Sequence, residues 1–494
     1  MDRKSCGNCF YSSWNGTLRP WPLPVRLRWT LCGFCDIMFR SFSICTFDMV
    51  GITAPRKGAC WGLLDNRCIN FLAWAALLAI FAFFLAHNLH RIEQQNHLSD
   101  FRTFYAAADA LAHGNSPYHT DTPWNYVYPP LIAWLLVPLL PLGPVKAAAV
   151  FLGANVVLAV SAVLLLAREF RWRFRLETVE GSPPVPFIYP ALLATLITLG
   201  RFKAEIQQNE TDTLILAALV CGVCLLDEWP LLAGAALGFA FNIKYLTIGL
   251  LPYLLLRRRW RASLSFVCSI ILFALLPAIT IGMRTNWHYL EYTTGGLLKA
   301  VGVDTVVSAE GRVTVVKPSS LISVSLSSGI ARQLRGHSEA VLPVLGALAV
   351  LIFAWVVFNY RARILPLWKW PRASLQRAAP YRGLIVVEWS GIVVVTLIFS
   401  PNTNTRHLVL ALIPGMLLAT LFCSARRDIR RTPLIIAGFL CFLGFEAFSR
   451  AASAKLMLWW FSIAGPAWCL LLAFAIALPA ALRAVEEPPP EARR

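Results

Sequence analysis

The sequence predicts an all-α polytopic membrane protein, and three observations carry that prediction. The 494 residues are 57% hydrophobic and only 14% charged, with 18 Trp and 30 Phe. A soluble domain cannot hide that much apolar surface. The apolar residues gather into runs that reach, or nearly reach, the length of a bilayer span. Two thirds of the 45 Lys and Arg fall in alternate connecting segments, the bias that keeps basic loops in the cytoplasm. The net charge of +19 is explained by membrane orientation and does not require a nucleic-acid partner.

The runs fall at about 69–87, 145–167, 187–200, 211–226, 230–243, 245–256, 263–282, 341–359, 383–400, 407–424, 433–449 and 456–482. Residues 130–143 carry Pro130, Pro138 and Pro141, and so read as an interfacial or re-entrant helix too short to span. Counting 130–143 as a span would put Arg168, Arg171, Arg173 and Arg175 outside, against the charge bias. With the N-terminus inside, about twelve spans follow. The weakest point is 230–256, where two short spans meet at Asn242-Ile243-Lys244 and one broken span would serve as well. The domain reading is a Cys/Arg-rich cytoplasmic extension at 1–68, a transmembrane domain at 69–482 and a disordered cytoplasmic tail at 483–494. Two large outer loops, 88–144 and 283–340, interrupt the transmembrane domain. No cleavable signal peptide is expected.

Seven of the 13 Cys lie in residues 1–68. Cys6, Cys9, Cys32 and Cys35 form two Cys-x-x-Cys pairs, compatible with a tetrathiolate zinc site. An extension without metal fits the same residues, and elsewhere no metal or other cofactor is expected. The chain has no Gly-rich nucleotide loop, no Gly-x-Ser-x-Gly elbow and no Asp-x-Asp of the kind that holds a metal-bound nucleotide sugar.

Charged groups at a membrane boundary are costly, so each needs a reason. Asp100 follows the first span. Arg201 ends the third, with Gln208, Asn209 and Glu210 beyond it. Lys244 interrupts apolar sequence, and Arg406-His407 open the tenth span. In the proposed orientation all face the outer side. One carboxylate among several cations suits transfer from an anionic lipid phosphate: the carboxylate takes a hydroxyl proton, and the cations stabilise charge on the departing phosphate. The rival reading is snorkelling, in which each Lys or Arg simply reaches the headgroups.

Asp100-Phe101, Phe104-Tyr105-Ala106-Ala107, Gly114-Asn115-Ser116-Pro117-Tyr118 and Tyr128-Pro129-Pro130-Leu131, followed by Gln208-Asn209, Ile243-Lys244-Tyr245 and Ser400-Pro401 with His407, resemble glycosyltransferase family 87 in order. These are polyprenol-phosphate-mannose-dependent mannosyltransferases of the GT-C fold. Two elements depart from the family pattern, at Pro318-Ser319-Ser320-Leu321 and at Asn404-Thr405-Arg406-His407. The resemblance implies an inverting transfer of a sugar, mannose first, from a polyprenyl-phosphate donor to a lipid or glycan acceptor at the outer face of a bacterial inner membrane. It makes Asp100 the general base, Lys244, Arg406, His407 and Arg201 the donor-phosphate ligands, and Tyr105, Tyr128, Gln208 and Asn209 substrate contacts. Two other classes remain open. A transporter or flippase of lipid-linked sugars would show inverted repeats, and a non-catalytic scaffold would tolerate loss of Asp100.

Overall fold

Apolar runs that cannot be hydrated must close their backbone hydrogen bonds within themselves, and helices do so. A computed structural model describes residues 67–95, 98–174, 185–300, 320–363, 365, 379–401, 403–424, 436–438 and 454–486, and among these there is no β-strand. Five helices are long and apolar enough to cross a membrane, and six shorter apolar helices have 10–17 residues. Together they coincide with eleven of the expected runs; the remaining one, 433–449, lies almost wholly outside the described residues. So do the four cysteines at 6, 9, 32 and 35, and most of the C-terminal tail.

In chain order the helices are α1 (Arg67–Gln95), α2 (Phe101–Ala112), α3 (Pro130–Leu136), α4 (Gly143–Phe174), α5 (Ile188–Ile197), α6 (Leu199–Gln208), α7 (Asp212–Leu225), α8 (Pro230–Ile243) and α9 (Leu250–Leu256). They continue as α10 (Trp260–Leu275), α11 (Ala278–Ile281), α12 (Met283–Ala300), α13 (Leu326–Gln333), α14 (Val341–Arg361), α15 (Ala379–Phe399), α16 (Leu412–Phe422), α17 (Ala454–Ser462) and α18 (Gly465–Glu486).

The segment expected to be short at 130–143 forms α3, started by Pro130 at its first position, and then a 3₁₀ turn over Val137–Leu142. Gly143 at φ +76° separates that turn from the long α4. Two expected spans are broken where the sequence pattern is continuous. At 187–200 the chain kinks between α5 and α6, where the Thr195 and Thr198 hydroxyls donate to the Ala191 and Ala194 carbonyls, a bonding mode that bends helices. At 456–482 it breaks between α17 and α18 at Ala464, which has a positive φ. The junction at 230–256 is a reversal: Lys244 is extended, and the Thr247 hydroxyl returns to the Leu237 carbonyl of α8.

The tightest helix pair is α8 with α10. Gly234 and Gly238, four residues apart, face α10 so closely that a Cβ on Gly238 would lie 2.6 Å from Cβ of Ser269. Small residues at this spacing let two membrane helices approach backbone to backbone. Asn242 then donates across the pair to the Ile270 carbonyl at 3.0 Å. This contact fixes the end of α8, and with it Lys244.

Buried charge collects at both ends of the helix assembly. At one end Arg173 bonds Glu169 and Asp227, Arg259 also holds Asp227, and Arg257 pairs with Glu388, which accepts from Tyr360 as well. Glu169, Arg173, Arg257, Arg259 and Tyr360 lie in or beside the segments expected inside, and Glu388 lies in the adjoining run 383–400. Glu388 is thus an ion-pair partner, while its neighbour Trp389 packs edge-on against Tyr253. The other end carries Asp100, Lys244 and Arg406.

Candidate active site

The site is built from helix ends. Ser99, in the left-handed region at φ +49°, turns the chain into α2. Its hydroxyl donates to the Gln207 carbonyl, and the Asp100 amide donates to the Gln208 carbonyl at 3.2 Å. Those two bonds tie the start of α2 to the end of α6. Asn209, also left-handed at φ +51°, ends α6 and sends Glu210 and Asp212 toward the same place. Lys244 enters from the reversal after α8. Arg406 and His407 enter from a turn organised by Asn404, whose Oδ1 accepts from the amides of both at 3.0 and 3.2 Å.

These four segments meet in one cluster. Arg406 forms an ion pair with Asp100 and lies 3.5 Å from Glu210. Lys244 Nζ donates to Glu210 at 2.8 Å and to Asp212 at 2.7 Å, and sits 3.4 Å from His407 Nε2. It also lies 5.2 Å from the centre of the Tyr128 ring, whose hydroxyl reaches Glu210 at 3.4 Å. The Asn404 amide donates to His407 Nδ1 at 3.3 Å. A neutral imidazole then carries its proton on Nε2, which is 3.7 Å from Asp212 Oδ2.

Asp100, Lys244, Arg406, His407 and Tyr128, separated by up to 307 positions in the chain, are therefore brought together. Other expected residues point elsewhere. Tyr105 donates to the Leu140 carbonyl and leans on the 3₁₀ turn. The Asn209 side chain is buried against α4, donating to the Ala148 carbonyl and accepting from Asn155; it shapes the turn. Gln208 contributes its backbone carbonyl. Arg201 is buried in α6, 8% exposed.

The sequence reading missed the acids. Glu210 and Asp212 balance the cations, Glu205 lies close to both in sequence, and all three are buried. Their signal was present: three carboxylates within eight residues, directly before an apolar helix, where each is costly unless paired. Burial by itself would pull the Lys244 ammonium down, but Asp212 and Glu210 outweigh it and hold its pKa well above the usual value. Burial lowers Arg406 to about 10, far enough above neutrality that the guanidinium stays charged.

Glu205 is different. Its Oε1 accepts from the Thr213 amide, and Oε2 has no hydrogen-bond partner among the described residues. Burial, then the charges of Asp212 and Glu210, push its carboxyl well above the ordinary carboxylate range. A raised carboxyl binds more protons folded than unfolded, so its contribution to stability is present at low pH and falls as pH rises above the unfolded value, near 4.3. Glu205→Gln removes that dependence. The difference in melting temperature, variant minus wild type, is expected to grow from pH 5 to pH 8, as followed by thermal unfolding in detergent.

Three comparisons with known proteins complete the description. The model of glycosyltransferase family 87 matches residues 126–370, a stretch that includes Tyr128, Glu205, Glu210, Asp212 and Lys244. The chain is also similar to the crystal structure of ArnT from Cupriavidus metallidurans in the apo state, at 14% identity and a TM-score of 0.37, over 78% of this chain and 73% of that one. Among curated proteins, none matches.

Proposed function

We propose, from the premise that this chain belongs to glycosyltransferase family 87, that it transfers a sugar from a polyprenyl-phosphate donor to a hydroxyl of a lipid or glycan acceptor. It is a membrane glycosyltransferase; the donor, the sugar and the acceptor are the content of the proposal. The observation that carries the reading is the joining of Asp100 to Arg406, and of Lys244 to His407, in one boundary cluster.

Asp100 takes the proton of the acceptor hydroxyl. The acceptor oxygen forms its bond to the anomeric carbon as the bond from that carbon to the phosphate oxygen breaks. Polyprenyl phosphate departs with the electron pair, and the configuration inverts. Arg406 meets the phosphate as a planar fork, with His407 Nε2–H beside it. Lys244 lies deeper, 6% exposed, and supplies a fixed positive field, which stabilises charge developing on the leaving group; Arg201, buried in α6, is left outside that role. The outer-face, extracytoplasmic placement is supported by Arg173, Arg257 and Arg259, which gather at the opposite end of the helices where basic residues orient a protein inward. A bacterial inner membrane and mannose remain parts of the same reading, drawn from the family resemblance.

Membranes containing the protein, given labelled polyprenyl-phosphate mannose and, separately, the glucose counterpart, are expected to form a glycan product from mannose. Product from glucose alone would reassign the sugar. Product from neither would remove the donor class.

A further inference from the structure

The proposed base does not stand free. Asp100 is engaged by the Arg406 guanidinium, and a carboxylate whose lone pairs face a cation is a poor acceptor for a hydroxyl proton. This pair is also the accessible part of the cluster. The side chains of Asp100 and Arg406 are 21% and 25% exposed, against 6% for Lys244. A phosphate arriving at the cluster meets Arg406 before it meets Lys244.

A guanidinium binds phosphate through the same forked N–H groups that bind a carboxylate, so the two ligands compete. The backbone of Arg406 stays fixed while its side chain changes partner, because Asn404 holds the turn through the Arg406 and His407 amides. Glu210, 3.5 Å from the guanidinium, keeps Arg406 within the cluster during the exchange. No other described contact of Asp100 has to break: its amide bond to Gln208 is backbone.

We propose that Arg406 masks Asp100 in the resting protein and that the phosphate of the lipid-linked donor removes the mask, so that the base becomes available only once donor is bound. This rests on the donor reading above. It imposes an order, donor before acceptor activation, and it assigns Arg406 two successive partners.

The competition is measurable without turnover. Binding of polyprenyl phosphate, the lipid product without its sugar, is measured on purified full-length protein in detergent for wild type, Asp100→Asn, Arg406→Ala and the double variant. Removing the competing carboxylate is expected to tighten binding up to about fivefold, the upper end of the range for a partly exposed ion pair. Arg406→Ala weakens binding, and in its background Asp100→Asn no longer tightens it, as a double-mutant cycle requires when two residues share one interaction. Asp100→Ala must change affinity with the same sign as Asp100→Asn, which separates the effect from any misfolding of one variant. Unchanged or weaker binding in both Asp100 variants overturns the mask. That failure is distinct from failure of the transferase reading, which depends on product formation by the wild type and its loss in Asp100→Asn.

Discussion

Asp100→Asn abolishes transfer, with an expected fall in rate of about 10²- to 10⁴-fold, the usual contribution of a positioned general base. The substitution keeps the shape of the side chain and the backbone bond from the Asp100 amide to Gln208, so the start of α2 stays in place. What is lost is the negative charge and the ability to take a proton. Donor affinity does not fall, because the phosphate ligands are on other elements. The measurement is turnover of a labelled polyprenyl-phosphate sugar by purified variant and wild type at equal folded fraction. Wild-type turnover in Asp100→Asn would exclude this residue as the base and would favour a scaffold role for the chain.

Lys244→Met produces the largest loss of stability. Lys244 is 6% exposed, and its two partners, Glu210 and Asp212, are 4% and 0% exposed. Removing the cation leaves Asp212 without its ammonium and Glu210 with only the Arg406 guanidinium at 3.5 Å, and breaking one partner out of a buried ion pair costs about 3–5 kcal/mol. Methionine fills the stem volume but cannot neutralise the pair. Adding Glu210→Gln and Asp212→Asn to Lys244→Met removes the uncompensated charge, and should recover much of the thermal stability while leaving transfer absent. Lys244→Arg is not expected to substitute. A point charge at 2.7–2.8 Å from two oxygens cannot be replaced by a wider planar fork without displacing Tyr128, which lies against the ammonium. Melting temperature in detergent checks all three statements, and recovery by the triple variant separates charge burial from lost packing.

The helices were legible because their signal is length and apolarity, which need no tertiary information. Their interruptions were not. Nothing in the apolar run at 187–200 marks Thr198 as the point where a hydroxyl turns back on its own helix. Nor does the run at 456–482 announce a left-handed residue at Ala464. The reversal at Lys244 was half legible, since a charge inside apolar sequence has to end a span or be paired, and here it does both.

The site shows the same division. Asp100, Lys244, Arg406 and His407 could be gathered from sequence because each is a charged or polar residue where a membrane boundary makes it expensive. Side-chain direction could not. Asn209 lies next to Glu210 in sequence but spends its amide on α4, and Tyr105 reaches the Leu140 carbonyl. Attention to the cations also concealed their counterweights. With Glu210, Asp212 and Asp100 present, the cluster is an internally paired charge network and not a set of bare cations awaiting phosphate. That network leaves Arg406 as the cation most accessible to a ligand, and it places the proposed chemistry at the rim of the cluster.

Transfer and transport differ in one observable. Purified protein is reconstituted into liposomes carrying a labelled polyprenyl-phosphate mannose and a lipid extract of acceptors, and the lipids are then separated. A transferase moves the label into a new glycosidic product, releases free polyprenyl phosphate in equal amount, and does neither when Asp100 is Asn. Label that crosses the bilayer on its original carrier, with no new glycosidic bond and no dependence on Asp100, would contradict the account.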